Sequence, residues 1–494
     1  MNIILLNPPF LGKFSREQRS PAITKSGTFY YPMWLAYATG VLEQSGFNVK
    51  LVDAPATGMG LEDILKIVAE FNPELVVIDT STPSIYNDIK IGELIKCKMQ
   101  NAKSQIVLVG PHVSATAEET LRMSDKIDIV CRGEYEYTLL EIIRFAQNDK
   151  LIAHNDRLKD GLKGIRGISY RRDGEIFHNS DRPFIQDLDS LPFVSKVYKN
   201  HLDYTHYFYA HSQYPVVVII GGRGCAYQCN YCVYPQTFSG RKVRYRSIKN
   251  IVDELEYIVH TFKPLREIMF EDDTLTLNRP RCKELCEEII SRGLKIRWSA
   301  NSRADVDIDT LKLMHKAGCR LLCVGFESGD QGILDNMHKG IKLDMAHQFM
   351  RNAKKARILI HGCFMVGNPG ETQETMLKTL AFAKLLNPDT AQFFPIMVYP
   401  GTEAYEWAKA SGYLTTNHYR DWLTEEGLHN CVVSRPGLSK EDLVRFCDYA
   451  RSKFYIRPRY LVRKVIQIVL NPMEGKRILK SAHSFTKYLM KNNI

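Results

Sequence analysis

The sequence predicts an α/β protein in which two β/α series follow one another and a mostly helical C-terminal region ends the chain. Short segments rich in Ile and Val alternate with helix-period segments over residues 1–145, and the alternation resumes over 216–396. Residues 150–214 between the two series are more polar and more aromatic. These observations divide the chain into four predicted parts: 1–147, a linker region 148–214, 215–400 and 401–494.

The first series is typical of a doubly wound, Rossmann-like parallel sheet. Each predicted strand is short and apolar, as expected where helices cover both faces of a sheet. Ligands in such sheets bind beyond the carboxyl ends of the strands. The predicted strands are 2–6, 49–52, 75–78, 105–109 and 127–130, and the predicted helices are 33–46, 60–71, 85–100, 115–124 and 134–147.

The linker region contains a predicted hairpin over 167–177, which closes on Asp173-Gly174, a dipeptide favoured in tight turns. The aromatic run 198–214 is expected to pack across the seam between the flanking domains. The second series follows it. Its predicted strands are 216–220, 267–270, 295–299, 320–325, 359–365 and 391–396, and its predicted helices are 246–262, 278–292, 307–317, 342–356 and 371–386.

The charge of the chain is concentrated at its C-terminal end. The net charge is +11, and residues 435–494 alone hold 14 Lys and Arg against 4 Asp and Glu, a net +10. This basic region is predicted to lie on anionic lipid, to hold an acidic substrate or to be a solvated helical cap. No nucleic-acid recognition motif accompanies the charge, so we expect no nucleic-acid partner. We also expect neither a signal peptide nor a bilayer-spanning segment.

The cysteines are the most specific feature. Twelve cysteines in 494 residues indicate a reducing compartment, and we expect a cytoplasmic protein. Cys225, Cys229 and Cys232 form a C-x₃-C-x₂-C array. Such a loop can bind three corners of a [4Fe–4S] cube and leave the fourth iron for another ligand, whereas electron-transfer clusters use four cysteines. The alternatives are a chance cluster of thiols and an electron-transfer protein, for which no fourth cysteine lies at short range.

The other cysteines give a weaker signal. Cys282 and Cys286 are one helical turn apart, and Cys319 and Cys323 flank the start of a predicted strand. Neither pair has the further partners that a second cluster requires. We therefore predict that all four are inert, buried thiols.

The array resembles the signature of the radical S-adenosylmethionine (SAM) superfamily, C-x₃-C-x-aromatic-C. Tyr231 supplies the aromatic residue, and Arg223-Gly224 precede the first cysteine as in many members. The resemblance implies a partial (β/α)₆ TIM-type barrel over the second series. It also implies a [4Fe–4S] cluster, SAM on the open iron, reductive cleavage of SAM to a 5′-deoxyadenosyl radical, and a low-potential electron donor such as flavodoxin or ferredoxin.

Segments at the ends of later strands match the positions of the family's SAM-binding motifs. The acidic residues after the second strand suit the SAM ammonium group, because carboxylates accept its hydrogen bonds. Alternatively, these acidic residues cap the helix that starts near residue 278. The residues that the resemblance assigns to SAM are Tyr231, Glu271, Asp272, Asn301, Arg303, Glu327 and Gly367.

Loops of the first series resemble those of the cobalamin-binding domain that precedes the barrel in one large radical SAM branch. The chain lacks the D-x-H-x-x-G motif that supplies a histidine to cobalt, so we expect His112 not to be a cobalt ligand. The alternative is a Rossmann-like fold that binds another nucleotide or nothing, although the missing G-x-G-x-x-G disfavours a dinucleotide. The residues assigned to cobalamin are Ser81, Thr82, Ser84, Gly110, Pro111, His112, Val113, Ser114 and Glu134.

This architecture resembles the cobalamin-dependent class B radical SAM methyltransferases, which implies methylation of an unactivated carbon through methylcobalamin. Residues 29–36 and Asp53-Ala54-Pro55 are also similar to the anaerobic Mg-protoporphyrin monomethyl ester oxidative cyclases and hopanoid-modifying relatives. Oxidative cyclisation, or another C–C or C–O bond formation, is therefore the main alternative, and a cobalamin-binding redox sensor is a remote one. We expect a small or lipid-like substrate, with the basic C-terminal region as a candidate for peripheral membrane contact.

Overall fold

The computed structural model describes residues 1–99, 104–151, 161–470, 474–475 and 477–479. The strands of its first sheet are β1 (Asn2–Asn7), β2 (Asn48–Asp53), β3 (Leu75–Asp79), β4 (Gln105–Val109), β5 (Ile129–Cys131), β6 (Ile168–Arg172) and β7 (Glu175–His178). Their order is β2-β1-β3-β4-β5-β6-β7. Strands β1 to β5 run parallel, whereas β6 and β7 form an antiparallel hairpin beside β5.

Helices pack on this sheet and bury its strands. Strand β3 is buried at every position, which explains its continuous run of apolar residues. The helices that follow the strands are α1 (Met33–Gln44), α2 (Ala54–Thr57), α3 (Leu61–Phe71), α4 (Ile85–Lys98), α5 (Pro111–Ala115), α6 (Ala117–Arg122), α7 (Glu136–Leu151) and α8 (Val194–His201). Helix α1 is buried over its first ten residues because it lies against α7 and α8 as well as the sheet.

The second sheet is an open, curved arrangement of six parallel strands. Its strands are β8 (Val216–Ile219), β11 (Glu267–Phe270), β12 (Trp298–Ser302), β13 (Cys319–Glu327), β14 (Leu359–Val366) and β15 (Thr390–Pro395). Their spatial order is β15-β14-β13-β12-β11-β8. A short antiparallel ribbon, β9 (Gly222–Arg223) with β10 (Arg244–Tyr245), lies after β8.

The helices of the second half alternate with its strands. They are α9 (Val233–Thr237), α10 (Ile248–Thr261), α11 (Arg279–Ser291), α12 (Ile308–Lys316), α13 (Gln331–Asn336), α14 (Leu343–Ala356), α15 (Gln373–Leu386), α16 (Glu403–Ala410), α17 (Lys440–Tyr455) and α18 (Pro458–Leu470). The predicted fold class is confirmed: a Rossmann-like sheet precedes a partial TIM-type barrel, and a largely helical region ends the chain.

Several predicted elements differ in their limits. Strand β12 starts three residues later than predicted, and the predicted helix 115–124 is two short helices interrupted at Thr116, whose backbone is not helical. The predicted helix 85–100 ends at Lys98, and residue 100 lies outside the described residues. The hairpin predicted within the linker region extends the first sheet to His178, beyond 147. The four-part division of the chain stays a prediction.

Aromatic side chains fill the seam between the two sheets. The Tyr207 ring stacks on Tyr31 at 3.9 Å between centroids, and its hydroxyl donates to Asp53 Oδ2 at 2.8 Å. The Tyr31 hydroxyl donates to the carbonyl of Val216 in the barrel at 2.8 Å. The run around Tyr207 therefore packs across the seam, as its aromatic composition indicates.

The C-terminal region closes the amino end of the barrel. Arg320, at the start of β13, pairs with Glu267 at 2.6 Å and with Glu474 at 2.9 Å. Gln213 donates to the same Glu474 at 2.9 Å. Among the described residues, no helix combines the length and the apolar composition needed to cross a membrane.

Candidate active site

The cysteine loop lies at the carboxyl end of β8, where barrel enzymes place their chemistry. Gly224 has a φ of +89°, and a Cβ there would lie 2.5 Å from the carbonyl oxygen of Lys242. Only glycine allows this approach. The Cys225 amide donates to the Gly240 carbonyl at 3.2 Å. The loop is thus held against residues 240–242, and its three thiols lie on a fixed backbone.

The three thiols line one cavity of about 250 Å³ inside the mouth of the barrel. It is lined by Arg19, Ser20, Cys225, Tyr227, Cys229, Tyr231, Cys232, Val233, Pro235, Asp273, Thr274, Asn301, Ser302, Arg303, Cys323, Gly325, Glu327, Lys339, Cys363, Met365, Phe394, Met397 and Tyr399. Within the described part of the chain, no three His, Cys, Asp or Glu side chains converge on a single metal ion. A cluster has several irons, so its thiolates need not converge on one point.

The chemistry of the loop fits an iron–sulfur cluster. Burial is the main cause that raises the pKa of Cys225, and the negative charge of Asp273 is the second. The same two causes raise the pKa of Cys232 to about 12. Without a cation these thiols stay protonated, and bound iron reverses that preference. Cys225, Cys229 and Cys232 are the residues of this loop that could hold three irons, and their assignment as ligands stays a prediction.

A buried ion pair lines the cavity beside the loop. Lys339 Nζ donates to Glu327 Oε1 at 2.7 Å and to the Tyr231 hydroxyl at 3.1 Å, and that hydroxyl donates to the same Glu327 oxygen at 3.1 Å. Glu327 has a φ of +62° at a register shift between β13 and β14, an uncommon conformation that turns its side chain toward the loop. Its Oε2 is buried without a hydrogen-bond partner.

Asn301, near the end of β12, and Arg303, just after that strand, face the same space. The Arg303 guanidinium lies 3.4 Å from the centroid of the Tyr227 ring and donates to the carbonyl of Lys339. Its Nε is buried without a partner. Asn301 donates to the backbone carbonyl of Asp272 at 3.0 Å. An anionic group and an ammonium group of one ligand would both find partners among these side chains.

The acidic residues after β11 separate into different roles. Asp272 accepts from the Gly221 amide at 2.8 Å and lies outside the cavity lining; burial raises its pKa to about 7. Glu271 and Asp273 pair with Arg19 at 3.2 and 3.0 Å, and Asp273 lines the cavity. Asn278, not an acidic residue of this group, caps α11.

Gly367 also lies outside the cavity lining. Its φ is +95°, and a Cβ would lie 2.8 Å from Leu443 Cδ1, so the glycine lets α17 pack against the end of β14. This contact accounts for the glycine without a ligand. A role for Gly367 toward SAM stays a prediction.

Sequence reasoning missed several residues of the cavity. Arg19 comes from the segment after β1, Lys339 follows α13, and Cys323 and Cys363 lie on neighbouring strands. Arg19 and Lys339 carry no motif of their own. Cys323 was predicted to be an inert core thiol, and its position in the cavity lining gives it access to a ligand. Burial raises its pKa, so its thiol is protonated.

The loops predicted to bind cobalamin meet at the carboxyl edge of the first sheet. Thr82 Oγ1 lies 3.1 Å from His112 Nδ1, Ser81 and Ser84 hydroxyls are 2.8 Å apart, and the Gly133 amide donates to Ser114 Oγ at 3.0 Å. Pro111 starts α5, in which Val113 is buried. These residues form one contiguous group.

The same group offers features of a ligand site. Gly110 has a φ of +118°, and a Cβ would lie 2.7 Å from the Thr80 carbonyl oxygen. Asp79 Oδ2 and His112 Nε2 are buried without hydrogen-bond partners. Burial lowers the pKa of His112 to about 3, so the imidazole is neutral. Unpartnered buried polar atoms beside a glycine are compatible with a polar cofactor tail at this edge.

Glu134 has a different environment from the other predicted cobalamin residues. Its Oε2 accepts from the Ile185 amide at 2.8 Å and from Arg244 at 2.7 Å. Arg223, next to the cysteine loop, pairs with Glu136 at 2.6 Å. Glu134 therefore belongs to a buried ion-pair cluster that joins α7 to the ribbon flanking the cysteine loop. Its assignment to cobalamin stays a prediction.

The two predicted cofactor regions are in direct contact. Helix α5, which carries His112, packs against α9, which follows Cys232 immediately. Gly401 lies between them: a Cβ there would be 2.7 Å from both Ala115 Cβ and Thr237 Cγ2. The carboxyl edge of the first sheet and the mouth of the barrel therefore face one another.

Comparisons with known proteins agree with this geometry. Residues 219–383 match the family model described as the radical SAM superfamily, and residues 19–143 match that of the B12 binding domain. The uncharacterized methyltransferase PH0819 of Pyrococcus horikoshii is 32% identical over 470 residues, which cover 94% of this chain and 95% of the relative.

Two further likenesses extend the comparison. The anaerobic magnesium-protoporphyrin IX monomethyl ester cyclase of Cereibacter sphaeroides is 28% identical over 382 residues, covering 76% of this chain and 60% of the cyclase. The radical SAM methyltransferase TsrM from Kitasatospora setae, solved with cobalamin and a [4Fe–4S] cluster bound, superposes with a TM-score of 0.68 at 18% identity over 93% of this chain and 89% of TsrM. At that identity the likeness shows the fold.

Fold and site together define a radical SAM enzyme whose barrel follows a B12-binding domain. The chain belongs to the cobalamin-binding branch of the radical SAM superfamily. Its cofactors are a [4Fe–4S] cluster, SAM and cobalamin.

Proposed function

We propose that this enzyme transfers a methyl group to an unactivated carbon of a small-molecule substrate. The observation that carries the proposal is the contact of α5 with α9, which puts the edge of the B12-binding domain over the cavity of the cysteine loop. When bound, the cluster and SAM supply a 5′-deoxyadenosyl radical, and cobalamin supplies a transferable methyl group. A substrate carbon in one shared space could meet both.

The cavity residues divide the work of positioning. Cys225, Cys229 and Cys232 hold the cluster. Asp273 and Glu327 face the loop with acceptors for an ammonium group, and Arg303 and Lys339 provide cations for a carboxylate. Holding both ends of SAM fixes where its reactive carbon lies, which directs the radical to one hydrogen. We propose that the other predicted SAM residues also help to hold SAM in this position; they are Tyr231, Glu271, Asp272, Asn301 and Gly367.

Methyl transfer is favoured over oxidative cyclisation by the extent of the likenesses. The methyltransferase of Pyrococcus horikoshii is matched over 95% of its length, whereas the cyclase of Cereibacter sphaeroides is matched over 60%. About two-fifths of the cyclase is left unmatched by this likeness. Cyclisation is therefore the second candidate.

The substrate and partners follow from the lining of the cavity and the charge of the chain. Met365, Phe394 and Met397 form an apolar wall, which suits a lipid-like or flat molecule. We propose flavodoxin or ferredoxin as the electron donor, a cytoplasmic site of action, and peripheral membrane contact through the basic C-terminal region. We also propose the predicted limits 1–147, 148–214, 215–400 and 401–494 as the units of the chain.

Reductive SAM cleavage tests the proposal directly. Anaerobically reconstituted protein receives cobalamin, SAM and a low-potential reductant, and mass spectrometry identifies the nucleoside products. We expect 5′-deoxyadenosine together with S-adenosylhomocysteine, since the methyl group and the radical come from separate SAM molecules. Deoxyadenosine without S-adenosylhomocysteine favours the cyclase, and neither product, with iron and cobalamin bound, contradicts both.

Matched cysteine variants show which thiols hold the cluster. Cys225→Ala should lose deoxyadenosine formation and most of its bound iron, because two thiolates remain for a cluster that needs three. Cys97→Ala is the control, since Cys97 is exposed and does not line the cavity. Equal iron content and equal SAM cleavage in both variants would exclude the cluster assignment.

A further inference from the structure

Helix α18 exposes an apolar face. Leu461, Val462, Val465, Ile466, Val469 and Leu470 are between 49% and 78% exposed. Their spacing repeats every four residues in two adjacent rows, so all six lie along one side of the helix. Ile456, just before the helix, is 56% exposed as well. A contiguous exposed apolar stripe of this kind marks an interaction surface.

The inner side of α18 is polar, which is the reverse of an ordinary surface helix. The Tyr460 hydroxyl donates to the Asp389 carbonyl at 2.8 Å, and Arg463 pairs with the Asp389 carboxylate and donates to the Asn387 carbonyl at 3.1 Å. Lys464 is buried. Polar contacts thus fix the helix to the barrel and orient its aliphatic side outward.

We propose that the α18 face, the six exposed aliphatic side chains named above, lies on the surface of an anionic phospholipid membrane. Arg459 is exposed near the start of α18, whereas Arg463 and Lys464 face the barrel. The helix has no acidic residue and lies within a region of net charge +10 over residues 435–494. Apolar side chains beside cations are what an interfacial helix presents to anionic lipid. The inference rests on the proposed membrane contact and not on the nature of the reaction.

The dimensions of α18 suit a helix that lies in the membrane plane. Thirteen residues give a length of about 20 Å, too short to cross a bilayer. The helix packs on residues 384–389, which precede β15, so it lies at the amino end of the barrel strands. The cysteine loop lies at the other end. Membrane binding therefore leaves the contact between the B12-binding domain and the barrel undisturbed.

Vesicle sedimentation of the full-length reconstituted enzyme tests this surface. The probe is a vesicle of equal parts phosphatidylglycerol and phosphatidylcholine, compared with phosphatidylcholine alone. We expect binding to the anionic vesicles, reduced by added salt, and about tenfold weaker binding of V465S/V469S because two aliphatic side chains no longer enter the lipid. M345S/L377S is the matched control, because it also replaces two exposed apolar side chains. Met345 and Leu377 are 40% and 52% exposed and lie near the amino ends of α14 and α15, outside the α18 face.

Other occupants of the face give different results. A wild-type dimer that V465S/V469S converts to a monomer in light scattering, without vesicle binding, assigns the face to a second copy and overturns the proposal. No vesicle binding with a lower melting temperature in V465S/V469S assigns it to the chain itself and also overturns it. Equal binding to both vesicle types overturns the role of the cations. Deoxyadenosine formation by the same preparations in solution reports separately on the radical SAM reaction.

Discussion

Two buried ion pairs flank the cysteine loop, and their surroundings differ. Arg223 and Glu136 meet at 2.6 Å with both side chains 0% exposed, between the barrel and the B12-binding domain. Lys339 and Glu327 meet at 2.7 Å with side chains 8% and 6% exposed, and they line the cavity. The first pair is enclosed by protein, whereas the second borders a space that a ligand can enter.

This difference in surroundings distinguishes an ion pair that stabilises the fold from one that can take part in ligand binding. The enclosed pair has a structural effect, because protein groups alone compensate its buried charges: Glu134 lies 3.5 Å from Arg223, and the Trp34 ring lies 4.8 Å from its guanidinium. Both sites have buried polar atoms without hydrogen-bond partners, among them Arg223 Nε and Glu136 Oε2 at the enclosed pair. Glu327 and the nearby Arg303 carry such atoms too, Oε2 and Nε, and these two residues line the cavity. Burial and charge alone therefore do not identify a ligand-binding group, and unpartnered atoms at a cavity do so better.

The largest expected loss of stability comes from breaking the enclosed pair of Arg223 and Glu136. Arg223→Met should lower the free energy of unfolding by about 3–5 kcal/mol, because Glu136 is left as an unpaired buried charge. Iron content should fall too, since Arg223 is two residues from Cys225. Denaturant unfolding and iron analysis measure the two effects.

Two controls accompany this variant. Arg122→Met removes an exposed pair with Glu118 at 2.6 Å and should cost less than about 1 kcal/mol. The double variant R223M/E136L removes both buried charges and should regain much of the stability. A cost for Arg223→Met no larger than that for Arg122→Met would show that the seam pair does not hold the domains.

Lys339→Met should have an intermediate effect on the free energy of unfolding and a large effect on the affinity for SAM. Water in the cavity can solvate the remaining Glu327, so we expect a loss of about 1–3 kcal/mol, less than for Arg223→Met. SAM affinity, measured by equilibrium dialysis, should fall by at least about tenfold if Lys339 holds a carboxylate. Lys339→Arg keeps the charge and should retain most binding. Unchanged SAM affinity in Lys339→Met would make this pair structural as well.

The smallest effect concerns a buried titratable group without a charged partner. The folded pKa of His112, lowered to about 3 by burial, lies below the ordinary value of 6.5, so its contribution to stability is present above pH 6.5 and is lost as pH falls toward 3. The stability difference between wild type and His112→Gln should therefore rise between pH 3 and 6.5, by about 1–3 kcal/mol, and then stay flat. Parallel pH profiles would contradict this. The cobalamin absorption spectrum should be the same in both proteins.

Local patterns in the sequence were enough to predict the features that depend on neighbouring residues, namely the strands, the helices and the cysteine loop. The spacing of Cys225, Cys229 and Cys232, and the strand that precedes them, were enough to place the loop at the mouth of the barrel. Parallel strands align their carboxyl ends, so Asn301, Arg303 and Glu327 could be expected to meet there. The structure brings these residues together around one cavity.

The remaining residues depend on tertiary contacts that no local pattern encodes. Lys339 reaches Glu327 from the turn after α13, and Arg19 crosses from the first half of the chain to Asp273. Glu134 follows a glycine turn that resembles a cofactor loop, but its carboxylate is bound to Arg244, more than one hundred residues away. Sequence reasoning located the acidic segment after β11 and could not decide that Asp273, rather than Asp272, faces the cavity.

The open six-stranded sheet has a consequence for how a substrate or product enters and leaves the cavity. Strands β8 and β15 are its two edges and do not pair with each other in the described chain. The amino end is closed by Arg320, Glu267 and Glu474, and the carboxyl end faces the first sheet. The unpaired edge and the face between the two halves are therefore the two openings toward the cavity that strand pairing and these ion pairs leave. A substrate or product would pass through one of these openings, so motion of the two halves could limit turnover.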